Sequence, residues 1–223
     1  MRRRRYLATL ATLPAAPGLA GCVGLGGSTD DRDRDPGDTR RPTEPTHGTH
    51  RRYTFSGKGD AVHPGLDLSN LVIATASHDG GGHFHVRLRG GGPDQLFVNE
   101  VGAHEGTHAR RVPGRTYTLS VSAGGEWSVE LGEHWARRGE PLPAEATGTG
   151  PDVLGPYDFA GEHAIAAEHD GDGRFVAEFL PEIGAKRQLF DAFGILESEA
   201  TVTFARPAWI AIETTGTWSL AIE

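Results

Sequence analysis

Ser56 to Leu88 reads SGKGDAVHPGLDLSNLVIATASHDGGGHFHVRL, and Thr147 to Phe179 reads TGTGPDVLGPYDFAGEHAIAAEHDGDGRFVAEF. The two stretches align without a gap at an offset of 91 residues, the difference between 147 and 56. The same offset carries RTYTLSVSAGGEWSVEL, from Arg115, onto RPAWIAIETTGTWSLAI, from Arg206. Between the blocks the register drifts by one, so that Gly102 fits Gly194 at 92. Two colinear blocks of this kind mark an internal duplication, with units at 53–131 and 144–223 joined by a linker at 132–143.

Within each unit the pattern is that of strands. Phe84, Val86 and Leu88 alternate with His85 and Arg87, and Trp127, Val129 and Leu131 alternate with polar neighbours, as do Trp218, Leu220 and Ile222. A period of two with one polar side describes a half-buried antiparallel strand. Asp79-Gly80, Gly90-Gly91-Gly92, Pro113-Gly114 and Gly124-Gly125 punctuate the strands as turns. Short strands and frequent turns predict an all-β fold, two tandem small antiparallel β-sandwiches of jelly-roll type. The best helix candidate is the short stretch 185–193. A unit of 79 residues without a disulfide is small for independent stability, so the units are expected to pack on each other, with Trp135 of the linker at their interface.

Phe55 to Asp60, Gly82 to Val86, Phe97 to Gly102, and Tyr117 through Trp127 together resemble the G-x-Y…G-x-W β-sandwich module of secreted haloarchaeal and bacterial proteins, many of them lipoproteins. The second unit is a degraded copy, with Ala146 where the first has Phe55. The resemblance implies a fold and no activity, and it assigns no functional residue.

The first 22 residues, MRRRRYLATLATLPAAPGLAGC, read as an export signal, with Arg2 to Arg5 ahead of a weakly apolar stretch broken by Pro14 and Pro17. Leu19-Ala20-Gly21-Cys22 resembles a lipobox, and the consecutive arginines resemble twin-arginine signals of halophilic archaea. Cys22 is the only cysteine, which suits a lipid anchor and excludes an internal disulfide. Residues 23–52 read as a disordered tether, rich in charge, Pro, Gly and Thr, whose ends would lie on the order of 30 Å apart. His47 and His50 within it read as solvated. The expected location is the outer face of the cell membrane.

Of 22 basic residues four belong to the leader, leaving 18 against 30 acidic ones and a mature chain near −12. Such an acidic chain, with Lys58 and Lys186 its only lysines, resembles proteins adapted to high salt. It disfavours nucleic acid as a partner, since a phosphate-binding face needs clustered positive charge. The partners expected are the membrane, through the lipid, and an envelope protein or glycan.

HEGTH, residues 104–108, has the H-E-x-x-H form of a zinc protease. That chemistry needs a helix, which brings two imidazoles one turn apart onto one metal. Gly106 lies inside the motif, Pro113-Gly114 follows it, and Gly114 stands where the third histidine of the extended form would be. On a strand His104 and His108 would be roughly 13 Å apart and unable to share a metal. A second possibility is His83 and His85, at i and i+2 on the outward face of one strand. They could converge on zinc or copper, with His104 or His108 as a third ligand if that segment crosses the same face. His78-Asp79-Gly80 and its copy read as a turn with a packed histidine, and Trp127 and Trp218 as core. Asp170-Gly-Asp172-Gly lacks the remaining ligands of a calcium loop. No catalytic triad or carboxylate pair can be read. The expectation is a non-enzymatic pair of binding or structural modules without a cofactor; a zinc- or copper-binding, or metal-dependent hydrolytic, protein is the alternative.

Overall fold

The computed structural model describes residues 46–171 and 173–223. The leader with Cys22, the tether up to residue 45, and Asp172 lie outside the described residues. Every regular element among them is a strand: β1 His47–Lys58, β2 Ala61–His78, β3 His83–Arg89, β4 Gln95–Val101, β5 His104–Ala123 and β6 Glu126–Ala136 in the first unit. The second unit contains β7 Ala144–Thr149, β8 Asp152–Asp158, β9 Gly161–His169, β10 Arg174–Pro181, β11 Arg187–Phe193, β12 Leu196–Phe204, β13 Pro207–Glu213 and β14 Thr217–Ile222. Three boundaries therefore move. Residues 47–52 are strand rather than tether, residues 132–136 are strand rather than linker, and the helix candidate at 185–193 is β11.

The first unit is one six-stranded sheet, ordered β1-β6-β2-β5-β3-β4, folded over on itself. β2 and β5 are long enough to serve both layers. Their pairing shifts register between Leu68 and Asn70, where Asn70 takes φ +58°, a value few residues other than Gly adopt. Beyond that corner β2 pairs with β6, and the far half of β5 pairs with β3. Counting each half separately, the layers hold segments 1-8-3-6 and 2-7-4-5 of eight. The second unit breaks the same strands at the same corner, with Gly161 (φ +111°) in the place of Asn70. It becomes two sheets, β12-β9-β14-β7 and β11-β10-β13-β8, which are again 6-3-8-1 and 5-4-7-2. That is the jelly-roll order, present twice.

Each sandwich encloses its own core, built on Phe84, Phe97, Leu119 and Trp127 in the first unit and on Phe175, Ile210 and Trp218 in the second. A third cluster lies between the units. Leu71, Ala109 and Ala136 of the first unit meet Leu180, Trp209 and Ala211 of the second, with Ile73 and Val153 at the margin. This seam explains the sequence of β13, PAWIAIE, whose first six residues are all buried. Ile210 and Ile212 face their own core, while Trp209 and Ala211 face the first unit. The seam also has polar fasteners: Thr107 N–H donates to the Pro151 carbonyl (3.1 Å), and the Ala136 N–H donates to Glu182 (3.2 Å). Ala136, not Trp135, is the residue of that stretch in the seam cluster; Trp135 stacks on the exposed His50 of β1 (5.5 Å).

Trp209 is 1 % exposed, so Trp209→Ala should cost about 3–5 kcal/mol. Because the lost contacts lie between the units, chemical denaturation should resolve two transitions where the parent chain shows one. A single transition with an unchanged midpoint would contradict the seam.

Candidate functional site

His104, Gly106, His108 and Arg110 follow one another at every second position of β5, on one side of the strand. Gly106 has no side chain, so the imidazoles on either side lean over it towards each other. Their Nε2 atoms come to 3.1 Å and their ring centres to 5.2 Å, although four residues of extended chain separate them. The expectation that a strand would hold them apart is thereby corrected. Gly106 also lets the second unit approach, since a Cβ there would lie 3.1 Å from Pro151 Cδ.

The other end of this arrangement belongs to the second unit. Glu213, the last residue of β13, accepts from His108 Nδ1 at 2.9 Å and from Arg110 at 2.9 Å. Burial by itself pushes the Glu213 carboxyl up. The hydrogen bond and charge of His108, with those of Arg110, outweigh it and hold the group below its ordinary value. An ionised carboxylate only accepts, so His108 Nδ1 carries a proton, and the two facing Nε2 atoms share one more between them. Burial, followed by the charge of His108, lowers His104 to about 4. The result is a chain Glu213–His108–His104 that crosses the seam, buried at His108 (2 % exposed).

His104 also lines a surface hollow of about 630 Å³, with His78, Asp79, Ala103, Glu105 and Trp127 among its walls. The second unit has a hollow of about 440 Å³ at the matching positions, with His169, Asp170, Ile195, Glu197 and Trp218. The duplication has thus kept the concavity and changed its chemistry. Where the first unit places Ala103 and His104, the second places Ile195 and Leu196.

The other residues singled out in the sequence divide differently. His83 and His85 lie side by side, ring centres 5.4 Å apart, on the outward face of β3. Phe84 between them points inward and meets the His104 ring at 5.8 Å. The four histidines therefore form two pairs on opposite sides of a sheet, and the third ligand expected from His104 or His108 does not reach His83 and His85. Among the described residues no three His, Cys, Asp or Glu side chains gather where one metal could take them all. His78 and His169 each donate Nδ1–H to a carbonyl, of Gly102 and Gly194, both at 2.7 Å, which establishes the offset of 92 in that region. Asp79 and Asp170 accept the N–H of Glu126 and Thr217 at 2.8 and 3.2 Å, as turn residues do. Trp127 and Trp218 are core, 4 % and 2 % exposed.

Glu213 was not singled out from sequence. Its signal is the comparison of TYTLSVS (116–122) with PAWIAIE (207–213): the outward Thr118, Ser120 and Ser122 become Trp209, Ala211 and Glu213. Loss of the polar alternation marks a face that is covered, and the Glu lies at its rim.

No family model and no curated protein matches the chain. Among solved structures it is similar to the PBSX exported protein XepA, at 12% identity over 79% of this chain and 86% of that one, with a TM-score of 0.28. It is also similar to the conserved protein PA5104 of Pseudomonas aeruginosa, at 16% identity over 78% and 80% of the two chains (TM-score 0.25). A cupin 2 conserved barrel protein of Leptotrichia buccalis matches at 13% identity over 78% and 84%, with a TM-score of 0.24. The jelly-roll order of this chain rests on its own strand pairing.

The chain across the seam makes stability depend on pH. His104 in the folded protein titrates at about 4, below its unfolded value of about 6.5, so between these values the unfolded chain binds the extra proton. Its contribution is complete above that window and is lost as pH falls through it; the lowered Glu213 adds a loss of the same sign below its ordinary range. Thermal unfolding should show the melting temperature falling from pH 6.5 towards 4, and less steeply in His104→Leu, which installs the second unit's residue. Equal slopes in the two proteins would count against the assignment.

Proposed function

We propose that this chain is an exported, lipid-anchored protein at the outer face of the cell membrane whose paired jelly rolls are non-catalytic modules for binding or envelope architecture. One observation carries the reading. The residues that recur in both units are the ones engaged in the same structural contacts: the histidine to the glycine carbonyl, the aspartate to the strand N–H, and the tryptophan to its glycine. A duplicated active site would have kept reactive groups in common; here the repeated groups hold turns and strand ends. HEGTH adds to this by lying on a strand, where its Glu105 points away from the two histidines. The lipobox-like Leu19 to Cys22 and the stretch that follows would hang the modules from the membrane. Changing Cys22→Ser should move the protein from the membrane fraction to the soluble one, since no helix among the described residues is long and apolar enough to cross a bilayer. Retention of the variant in washed membranes would refute the anchor.

The facing nitrogens favour a second reading, a zinc or copper site in the first unit. Two imidazole Nε2 atoms at 3.1 Å offer one ion a pair of ligands in place of their shared proton, and Glu213 on His108 Nδ1 would orient the ring as second carboxylates do around bound metals. Zinc chloride titrated calorimetrically near pH 7.5 should bind the parent chain and His83→Ala/His85→Ala alike, and lose at least tenfold in affinity with His104→Leu. Absence of heat in the parent chain rules this site out.

A further inference from the structure

His108 works in two directions. Inside its own unit it presents Nε2 to His104 at 3.1 Å, and across the seam it donates Nδ1–H to Glu213 at 2.9 Å. The Glu213 end is held in place. Glu213 pairs with Val176 in the ladder of β10 and β13, and Arg110 donates to its other oxygen at 2.9 Å. Arg110 is in turn fixed by donating Nε–H to the Leu96 carbonyl at 2.8 Å. Thr214, 6% exposed, follows Glu213 and pins the end of β13: its hydroxyl donates to His169 Nε2 at 2.8 Å and accepts the Gly216 N–H at 3.1 Å. The first unit has Ser122 and Ala123 at the matching positions, so both the carboxylate and its pin belong to the second unit alone.

The facing nitrogens have the spacing of two ligands on one ion. Imidazole nitrogens each about 2.0–2.1 Å from a tetrahedral zinc lie roughly 3.3 Å apart, close to the 3.1 Å between His104 and His108. His104 frees its Nε2 by moving the proton to its own Nδ1, so both rings stay neutral and no proton is released. An ion on His108 Nε2 draws electron density from the ring and makes Nδ1–H a stronger donor, while the carboxylate on Nδ1 makes Nε2 a stronger ligand. The two contacts of this one imidazole therefore strengthen each other, and only one of them lies inside the first unit.

We propose that an ion bound by His104 and His108 clamps the two jelly rolls together, and that the closed seam is the state that binds it tightly. This rests on the zinc or copper reading of the same site and adds a regulation to it. The two effects are one free energy seen from either side: the factor by which seam closure tightens the ion is the factor by which the ion favours seam closure. Loss of a carboxylate behind a metal-bound histidine typically costs about 10–100-fold in affinity. An open seam takes Glu213 away from His108, so it should bind the ion at least roughly tenfold more weakly.

Amide exchange of the complete chain near pH 7.5, with and without zinc chloride, reads the seam itself. Thr107 N–H donates to Pro151 and Ala136 N–H to Glu182, so both amides lose their acceptors when the units part. Ala136 lies two strands from His108 in the order β5-β2-β6, which makes it a remote reporter. Saturating zinc should slow both amides roughly tenfold. Thr217, whose N–H is held by Asp170 within the second unit, should exchange as before. In Glu213→Gln zinc should bind roughly tenfold more weakly and slow Ala136 by less than about twofold. Trp209→Ala also loosens the seam but keeps Glu213, so zinc should slow its Ala136 amide by the parent's factor. Zinc that binds the parent yet leaves Ala136 unchanged, slows Thr107 alone, or acts as strongly on Glu213→Gln overturns the clamp and leaves the metal reading standing. A parent chain that gives no heat with zinc overturns both.

Discussion

Each jelly roll closes around a tryptophan whose indole N–H must find an acceptor inside the fold. Trp127 donates to the Gly59 carbonyl at 2.8 Å, and Trp218 to that of Gly150 at 2.9 Å. The ring lies over Gly57, or Gly148, where an added Cβ would come within 2.8 or 2.5 Å of it. The glycine that supplies the carbonyl turns the chain at φ +74° or +78°, the region only glycine occupies freely. One glycine therefore makes room for the ring and the next hands it a partner, so neither position tolerates a side chain. Around this slot the His-Asp-Gly turn packs backbone to backbone on the next hairpin: a Cβ on Gly125 would lie 2.6 Å from Gly80 Cα. A buried polar group left unpaired costs about 1–3 kcal/mol, which explains why these residues persist in a copy that has drifted elsewhere.

The two units differ most at their surfaces. The second unit has an apolar outer strand in the seam where the first has Thr118, Ser120 and Ser122. His108 and Arg110 then meet Glu213 across the seam, a contact that neither unit could make alone.

Much of the fold was legible in the sequence because strand alternation, turn glycines and the 91-residue offset all reflect local rules. Layer order was not, since nothing local says that β2 passes from one sheet to the other at Asn70. The strand at 47–52 was missed because HGTHRR offers no apolar side chain; its order comes from pairing with β6, Arg51 against Glu133 at 2.8 Å among other contacts. Of the candidate site, the histidines were legible and their pairing was misread. Strand spacing measures Cα atoms, whereas two long rings leaning over a glycine close a distance that the backbone keeps. Glu213 lay beyond reach because it comes from the other unit.

The corner at Asn70 also sets how the two halves breathe. In the first unit β2 and β5 each run as one strand through both layers, so the hydrogen-bonded ladder of one side continues into the other. In the second unit the strand pairing stops at Phe159–Ala160 and again at Ala205–Arg206. A sheet whose ladder ends at such a gap can exchange its amides in a sub-global opening that stops there, leaving the facing sheet protected. Two copies of one topology thus differ in the size of their cooperative opening units, and the difference lies in whether a corner is bent or broken.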